Sequence, residues 1–279
     1  MSRLSLVVAA ALLALAGCKQ KEADPAAPPA PVSGTAAPAG GTAPPAPTPA
    51  PAPTGNPIVD AADRSPDDRA LDEGRKPAEF LAFTGVGPGM KVAELMAGGG
   101  YTSELLARAV GPSGKVYGQN PKVILEKFAE KPWAARLAKP VNAGVVRVDR
   151  ELDDPLPPEA KDLDLIVANL VYHDFVWMNV DRARMNQALF AALKPGGRLY
   201  IADHHAAAGA GVTAVQTLHR IEPAAIRQEV EAAGFVLAKE GDFLRHPDDT
   251  RDWSTSPGAA GEKRGHSDRF VLLFEKPGA

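Results

Sequence analysis

Short apolar runs, rich in leucine and branched residues, alternate with amphipathic stretches along most of the chain. Such runs are typical of parallel strands that are buried on both faces. The predicted strands are Lys91–Leu95, Lys115–Tyr117, Val145–Val148, Leu163–Ala168, Arg198–Ala202, Phe235–Glu240 and Phe270–Glu275. Because helical patterns separate most of these strands, the sequence predicts an α/β fold with a doubly wound, mostly parallel seven-stranded sheet.

The predicted helices begin and end at residues that favour those positions. Ser65 is an N-cap before Pro66, and acidic residues follow in the first turn. Met185 and Leu189 lie one turn apart in an apolar stripe, and Gly234 ends the last helix. The predicted helices are Pro66–Gly74, Pro77–Phe83, Tyr101–Val110, Asp181–Leu193 and Pro223–Ala233.

A glycine loop follows the first predicted strand. Glu94 ends this strand, Gly98 and Gly100 lie in the loop, and a helix begins at Tyr101. Glycines let the backbone approach a ligand closely and a helix start supplies free N–H groups, so this order is typical of a nucleotide-type site. The spacing is Glu-x-x-x-Gly-x-Gly rather than the Gly-x-Gly-x-x-Gly of dinucleotide enzymes. This difference indicates S-adenosylmethionine rather than NAD.

Residues 1–17 have the pattern of a secretion signal. After Arg3, the run Leu4–Ala16 carries no charge and is too short to span a bilayer. Small residues then precede Cys18, the only cysteine of the chain. The pattern resembles the lipobox of bacterial lipoproteins, in which Cys18 would be lipidated, for example with palmitate. An ordinary export signal with an incidental cysteine, or an N-terminal membrane anchor, is the alternative.

Residues 18–57 are predicted to form a disordered linker, and residues 58–279 a single domain. Residues 19–57 hold 12 of the 27 prolines, with alanine, glycine and threonine between them, so the segment cannot bury a core. The net charge of the chain is −3, and no basic stripe is present. This disfavours nucleic acid as a partner. The sequence therefore predicts a domain tethered to a bacterial membrane and facing the periplasm or the cell exterior.

Three segments of the chain match motifs of a known family: Val92–Gly100, Asp164–Asn169 and Leu193–Gly197. From about Asp67 onward the chain resembles class I S-adenosylmethionine-dependent methyltransferases, and more narrowly a group of exported bacterial methyltransferases. The resemblance implies a Rossmann-like fold and S-adenosyl-L-methionine as cofactor. It implies an enzyme that methylates an unidentified small molecule, or a carboxyl or hydroxyl acceptor. The alternative is a non-catalytic binding lipoprotein that reuses the methyltransferase fold.

The same resemblance implies which residues bind the cofactor. Those expected at its methionine end are Glu94, Ala97, Gly98 and Gly100. The chain departs from the family at Met96, where a glycine is common, and at Asn120, where an acidic residue usually accepts both ribose hydroxyls. Asn120 is still expected to bind the ribose, because its carbonyl oxygen can accept a hydrogen bond, although it brings no charge. Asp149 or Glu151 would face the adenine amino group, with Asp149 preferred, unless both belong to a solvated acidic loop. Asn169 completes the expected cofactor residues.

Two polar clusters follow the fourth and fifth predicted strands, and both should face one crevice. His173 lies in the first cluster, and Asp203 and His204 lie in the second. His173 and His204 are candidates for the catalytic base or for positioning the acceptor, since histidine titrates near neutral pH. A histidine that bonds a loop carbonyl is the alternative. The aspartates and histidines could also bind a divalent metal, but no tight ligand spacing enforces this, so no metal site is predicted.

Two further features lie outside these motifs. Arg220 could hold an anionic acceptor, or it could belong to a surface turn. The segment Arg245–Asp268 is long for a connection between the last two strands, and long loops of this kind are often binding loops. We expect this segment to cover the acceptor side of the crevice.

Overall fold

The computed structural model describes residues 53–278. The predicted signal, Cys18 and most of the predicted linker lie outside these described residues. The described chain already makes specific contacts before residue 58, because the backbone N–H groups of Thr54 and Gly55 each donate to the Asp60 carboxylate at 2.9 Å. Within residues 53–278, no helix is long and apolar enough to cross a membrane.

A seven-stranded sheet with the order β3-β2-β1-β4-β5-β7-β6 forms the centre of the domain. The strands are β1 Lys91–Glu94, β2 Lys115–Asn120, β3 Val145–Asp149, β4 Leu163–Asn169, β5 Leu193–His204, β6 Val236–Gly241 and β7 Arg269–Glu275. All neighbours pair in parallel except β7, which is antiparallel to both β5 and β6. The predicted doubly wound, mostly parallel sheet is confirmed.

Helices cover both faces of this sheet. They are α1 Pro66–Arg75, α2 Pro77–Thr84, α3 Tyr101–Val110, α4 Lys122–Ile124, α5 Glu130–Leu137, α6 Tyr172–Trp177, α7 Arg182–Ala192, α8 Val215–Leu218 and α9 Pro223–Ala232. A π-helical turn, Leu125–Ala129, joins α4 to α5. The five predicted helices are confirmed to within a few residues, and Ser65 caps α1 by accepting from the Asp68 backbone N–H at 3.2 Å. Helices α4, α5, α6 and α8 were not predicted.

Alternate residues of the central strands pack into two separate cores. On β4, Leu165 and Val167 join Val92 of β1 in the core beneath α2 and α3. Ile166 and Ala168 join the other core, beneath α6, α7 and α9. This alternation explains why the strands are apolar throughout, since neither face of the sheet meets water.

Strand β5 is longer than predicted and includes the sequence Lys194-Pro195-Gly196-Gly197. These four residues, which lie between the predicted helix and the predicted strand, pair with the residue after β7: the Gly196 N–H donates to the Lys276 carbonyl, and the Lys276 N–H donates to the Gly197 carbonyl, both at 2.8 Å. A Cβ on Gly197 would lie 2.8 Å from the Leu163 carbonyl oxygen. Only glycine therefore lets this part of β5 approach β4 so closely.

Candidate active site

The carboxyl ends of β1, β2, β4 and β5 meet at one edge of the sheet. Chain order reverses between β1 and β4, since β2 and β3 lie on one side of β1 and β4 begins the other half of the sheet. In open α/β sheets, ligands bind in the crevice beyond the strand ends at such a reversal. The candidate site is therefore expected between the loop after β1 and the segments after β4 and β5.

The loop between β1 and α3 has an unusual backbone. Met96, Gly98 and Gly100 all have positive φ angles, of 47°, 56° and 79°. A Cβ on Gly98 would have no neighbour closer than the Met96 carbonyl oxygen at 4.0 Å, so Gly98 borders open space. A Cβ on Gly100 would lie 2.4 Å from the Trp133 ring. The structure therefore leaves room for a ligand at Gly98, whereas Gly100, predicted to line the cofactor, is required for packing against Trp133.

Two buried amide side chains at the end of β2 hold this loop. The carboxamide of Asn120 accepts from the Gly98 N–H at 2.8 Å and donates to the Gly98 carbonyl at 3.2 Å. Gln119 accepts from the Met96 N–H at 3.0 Å, and its backbone carbonyl accepts from the Ala97 N–H at 2.8 Å. Asn120 is fully buried and holds the loop in place through these bonds, and its contact with a ribose remains a prediction.

Glu94 lies at the end of β1 with its side chain almost fully buried. Only 4 % of the residue is exposed, and the Ser103 hydroxyl donates to its carboxylate. Burial raises the pKa of Glu94 to about 7, although Ser103, Thr102 and the positive charge of Arg75 act in the opposite direction. A carboxylate in this state is ready to ionise when a cation arrives. This fits the predicted place of Glu94 at the cofactor's methionine end.

Arg75, at the end of α1, has no ion-pair partner in the part of the chain that the structure describes. Its guanidinium lies over the Tyr101 ring, 4.7 Å from the ring centroid, and the Tyr101 hydroxyl is fixed by donating to Asp72 at 2.6 Å. Burial, which removes water from the guanidinium, lowers the pKa of Arg75. Glu94 and Arg75 together offer opposite charges, the complement of the ammonium and carboxylate of an α-amino acid.

The other predicted cofactor residues have different surroundings. Asp149 is exposed at the end of β3, and the Arg147 guanidinium donates to it at 2.9 Å while also binding Glu130. This exposure is compatible with the alternative of a solvated acidic segment, and the adenine contact of Asp149 remains a prediction. Asn169 ends β4 and is partly exposed, with its Nδ2 atom 3.4 Å from the Thr102 hydroxyl. Within residues 53–278, no donor bonds to the Asn169 carboxamide oxygen, which leaves it available to a ligand.

Asp203 is fully buried at the end of β5 and holds the segment after β4. Its carboxylate accepts from the His173 backbone N–H at 2.8 Å, from His173 Nδ1 at 2.7 Å and from the His204 backbone N–H at 2.6 Å. Asp203, predicted to be catalytic, is thus a positioning residue. Burial lowers the pKa of His173, but Asp203 and Asp174 outweigh it and raise the pKa to about 9. His173 is then protonated at neutral pH and cannot serve as the predicted base in that state.

His204 lies beside His173, with 5.6 Å between the ring centroids. Its Nδ1 atom is 2.7 Å from the Ser267 hydroxyl. Burial, together with the positive charge of Arg269, lowers the pKa of His204 well below its ordinary value. His204 is therefore neutral, and its Ser267 contact resembles the alternative of a histidine bonded within the protein. Its predicted role as a base or positioning group remains a prediction.

The structure brings two further side chains to His173. The Nε2 atom of His173 is 3.4 Å from Asp174 Oδ1, and His219 Nδ1 is 3.7 Å from the same oxygen. His219 has a positive φ of 49°, rare for a residue other than glycine, and such strain is often found at functional sites. Sequence reasoning missed His219 because α8 is short, and no nearby motif marked it.

Arg220 is neither an exposed anion clamp nor a surface residue. Its side chain is fully buried and forms an ion pair with the fully buried Asp249 at 2.7 Å. The Trp253 ring covers the guanidinium, 4.7 Å from Cζ to the ring centroid. The segment Arg245–Asp268 borders the crevice, because the Thr255 hydroxyl donates to the His219 carbonyl at 2.7 Å.

No protein-family model matches the sequence. Solved structures do share the fold. A methyltransferase dependent on S-adenosylmethionine from Aquifex aeolicus is 16 % identical and has a TM-score of 0.53, with 78 % of this chain and 96 % of that chain covered. A putative sarcosine dimethylglycine methyltransferase from Galdieria sulphuraria is 20 % identical, with a TM-score of 0.53 and coverages of 78 % and 90 %.

A further S-adenosylmethionine-dependent methyltransferase, from Mesorhizobium loti, is 20 % identical with a TM-score of 0.51, covering 74 % of this chain and 99 % of that chain. Together with the strand order, these similarities show that the domain has the Rossmann-like class I methyltransferase fold. At this level of identity the likeness concerns the fold. The chemistry has to be argued from the site itself.

Proposed function

We propose that this chain is a methyltransferase that uses S-adenosylmethionine and acts on a small molecule through a carboxyl or hydroxyl oxygen. The observation that carries the proposal is the arrangement around the β1–α3 loop. Gly98 borders open space there, and the buried Glu94 and the unpaired Arg75 offer opposite charges to an amino acid. Their charges complement the ammonium and carboxylate at the methionine end of S-adenosylmethionine.

The acceptor is expected on the side of the crevice formed by His173 and His219. Methyl transfer from a sulfonium needs an acceptor oxygen held in line with the S–CH3 bond, so positioning contributes much of the rate. A carboxylate acceptor is already ionised and needs no base, whereas a hydroxyl acceptor has to lose a proton. Carboxylate and hydroxyl acceptors are therefore both candidates.

The membrane tether belongs to the same proposal. The Leu15-Ala16-Gly17-Cys18 sequence supports lipidation of Cys18 and attachment to a bacterial membrane through the linker. S-adenosylmethionine is synthesised in the cytosol, so an exported enzyme would depend on cofactor that reaches it from outside its compartment. The tether therefore constrains how the cofactor reaches the enzyme and does not affect the chemistry of methyl transfer.

A non-catalytic binding lipoprotein is the second candidate. Two observations favour it: the buried Asn120 offers no charge to a ribose, and His173 is protonated at neutral pH. The enzyme requires binding of S-adenosylmethionine, whereas a binding lipoprotein with this fold could take another ligand. They also differ in whether a methyl group leaves the cofactor.

Isothermal calorimetry of the full chain with S-adenosylmethionine and with its demethylated product tests the proposal. We expect both to bind, and Gly98→Leu to abolish binding because its side chain fills the space beside the loop. Gly196→Leu is the matched control and should leave binding unchanged. Gly196 also has a positive φ and open space around it, but it lies at the opposite edge of the sheet.

Absence of binding by both compounds would contradict the enzyme proposal. Unaltered affinity in Gly98→Leu would mean that the ligand binds elsewhere. A panel of phenols and carboxylic acids, assayed for release of the demethylated product, then separates the two candidates. Binding without release for every acceptor in the panel would favour the non-catalytic lipoprotein.

A further inference from the structure

Two imidazoles and one carboxylate converge on the acceptor side of the crevice. His173, Asp174 and His219, the His173 cluster below, each direct one ligand atom inward, and these three atoms lie within 4.8 Å of one another. His173 and Asp174 begin α6, whereas His219 immediately follows α8. The fold therefore brings the cluster together from two distant parts of the chain.

The separations within the His173 cluster do not fit ordinary hydrogen bonds. Asp174 Oδ1 is 3.4 Å from His173 Nε2 and 3.7 Å from His219 Nδ1, whereas N–H···O bonds are about 2.7–3.2 Å long. Zn²⁺ binds nitrogen and oxygen ligands at about 2.0–2.2 Å, which in a tetrahedral site separates two ligand atoms by roughly 3.3–3.5 Å. The observed separations are thus close to those of a metal-ligand set.

The groups behind the cluster orient the imidazole of His173 and hold the backbone of His219. Asp203 accepts from His173 Nδ1 at 2.7 Å, which fixes the tautomer and leaves Nε2 directed at Asp174. A carboxylate that orients a histidine in this way is the usual partner of a metal-binding imidazole. His219 is held through its carbonyl by the Thr255 hydroxyl at 2.7 Å.

We propose that His173 Nε2, Asp174 and His219 bind one divalent transition-metal ion of the Zn²⁺ class. Two imidazole nitrogens and one carboxylate oxygen suit zinc and iron better than magnesium or calcium, which prefer oxygen ligands throughout. Three protein ligands leave a coordination position open, as in catalytic rather than structural zinc sites. The sequence did not predict this site because its third ligand, His219, lies far from the other two.

The chemical role of the ion rests on the proposed function, whereas its binding does not. A hydroxyl acceptor that binds at the open position loses its proton to solvent more readily, because the ion stabilises the resulting oxyanion. That oxygen then forms a bond to the methyl carbon of S-adenosylmethionine. The S–CH3 bond breaks, its electron pair remains on sulfur, and the neutral thioether leaves. The ion would thus activate the acceptor oxygen directly.

Competition between the full chain and a chromophoric chelator for Zn²⁺ tests the proposal. We expect one equivalent to bind tightly, and His219→Ala and Asp174→Asn each to weaken binding by at least about tenfold. His246→Ala is the matched control: His246 also lies near a second histidine, with ring centroids 6.0 Å apart, but outside the cluster. We expect its affinity to equal that of the unchanged chain.

Asp203→Asn keeps all three ligands and should still weaken Zn²⁺ binding by about 10- to 100-fold. It should also change the visible absorption of the Co²⁺-loaded protein, which a purely structural role would leave intact. Added Zn²⁺ should raise the thermal midpoint of the unchanged chain and not that of His219→Ala, which checks that the variants fold.

The metal site is wrong if the unchanged chain binds no stoichiometric Zn²⁺, or if His246→Ala weakens binding as much as His219→Ala. Calorimetry with S-adenosylmethionine separates this outcome from failure of the proposed function. Cofactor binding without Zn²⁺ binding would contradict the metal site and leave the proposed function standing. Zn²⁺ binding without cofactor binding would contradict the proposed function and leave the metal site standing.

Discussion

Glu94 is the residue at which stability and cofactor binding have opposite requirements. Its pKa of about 7 lies above the ordinary value for glutamate, so the folded chain without cofactor favours the protonated form. Between the ordinary glutamate pKa and about pH 7, the unfolded chain loses this proton while the folded chain keeps it. The free energy of unfolding therefore decreases as the pH rises through this range. The bound ammonium of a cofactor offsets this cost, which ties the buried charge to a ligand.

Replacing Glu94 by glutamine should separate the two effects. At pH 8, Glu94→Gln should raise the free energy of unfolding by up to about 3 kcal/mol, because a neutral amide avoids the buried charge. Its affinity for S-adenosylmethionine should fall by roughly tenfold or more, since one charge-assisted contact is lost. Denaturant unfolding and calorimetry on the same samples measure both. A variant that is both less stable and unchanged in affinity would contradict this role.

The affinity for S-adenosylmethionine should also depend on pH through Glu94. Below about pH 7 the carboxyl becomes protonated and no longer attracts the cofactor's ammonium, so affinity should fall as the pH decreases and level off above pH 7. Calorimetry at pH 6, 7 and 8 measures this dependence. Glu94→Gln should show a nearly flat profile over the same range, and an equally steep one would assign the titration to another group.

Arg75 should contribute to affinity through its charge. Arg75→Ala should weaken S-adenosylmethionine binding by about tenfold or more, because the cofactor carboxylate loses a charge-assisted partner. Arg69→Ala is the control on the same helix, since Arg69 bonds only the Ala61 carbonyl, at 2.6 Å, among the described side-chain contacts. Calorimetry measures the affinity of both variants for S-adenosylmethionine. An equal loss of affinity in Arg75→Ala and Arg69→Ala would indicate a general effect on α1.

The loop between β1 and α3 acts as one element with the end of β2. Asn120→Asp introduces the acidic residue that the resemblance favours at this position, yet we expect it to be harmful. The aspartate could not donate to the Gly98 carbonyl, and its charge would be fully buried. The free energy of unfolding should fall by about 1–3 kcal/mol, with weaker cofactor binding.

Thermal unfolding and calorimetry of Asn120→Asp test this expectation. Asn179→Asp, at an exposed position with a positive φ of 55°, is the control for the change of residue type. Tighter cofactor binding in Asn120→Asp would show that residue 120 does face the ribose, as the sequence predicted.

The sequence predicted those elements whose signal is local. The strand cores and the helix Tyr101–Val110 follow from apolar runs, prolines and glycines that act over a few residues. The π-helical turn and the short α6 and α8 carry no such periodicity, because a few residues cannot present an apolar stripe. Asp203 lies near the end of β5 and contacts the segment after β4, because the end of a strand fixes where its next residues lie.

Two predicted cofactor residues have partners inside the protein that the sequence did not reveal. Asn120 bonds the Gly98 backbone and Asp149 pairs with Arg147, and their cofactor contacts remain predictions. Such pairings join residues that are distant in sequence or depend on side-chain direction, which a motif does not encode. His219 is the reverse case: no motif marks this residue, but packing brings it to the crevice.

At the scale of the whole molecule, the proposed tether makes a separate prediction. Cys18→Ser should remove the lipid acceptor and release the protein from membranes into the soluble fraction, while cofactor affinity remains unchanged. Membrane fractionation of cells that express the full chain measures the first outcome, and calorimetry measures the second. Persistent membrane association of Cys18→Ser would indicate an uncleaved anchor instead of a lipoprotein.

The ion pairs beneath the segment Arg245–Asp268 have a kinetic consequence. Asp249 and Asp268 are fully buried and are paired with Arg220, Arg245 and Arg251. Asp268 and its two arginines all belong to the segment, so of these pairs only Arg220–Asp249 joins it to the rest of the chain. Losing one partner of a buried pair costs about 3–5 kcal/mol, so a state with the segment lifted would be populated roughly 10²- to 10⁴-fold less than the closed one. Acceptors should therefore exchange while the segment stays closed.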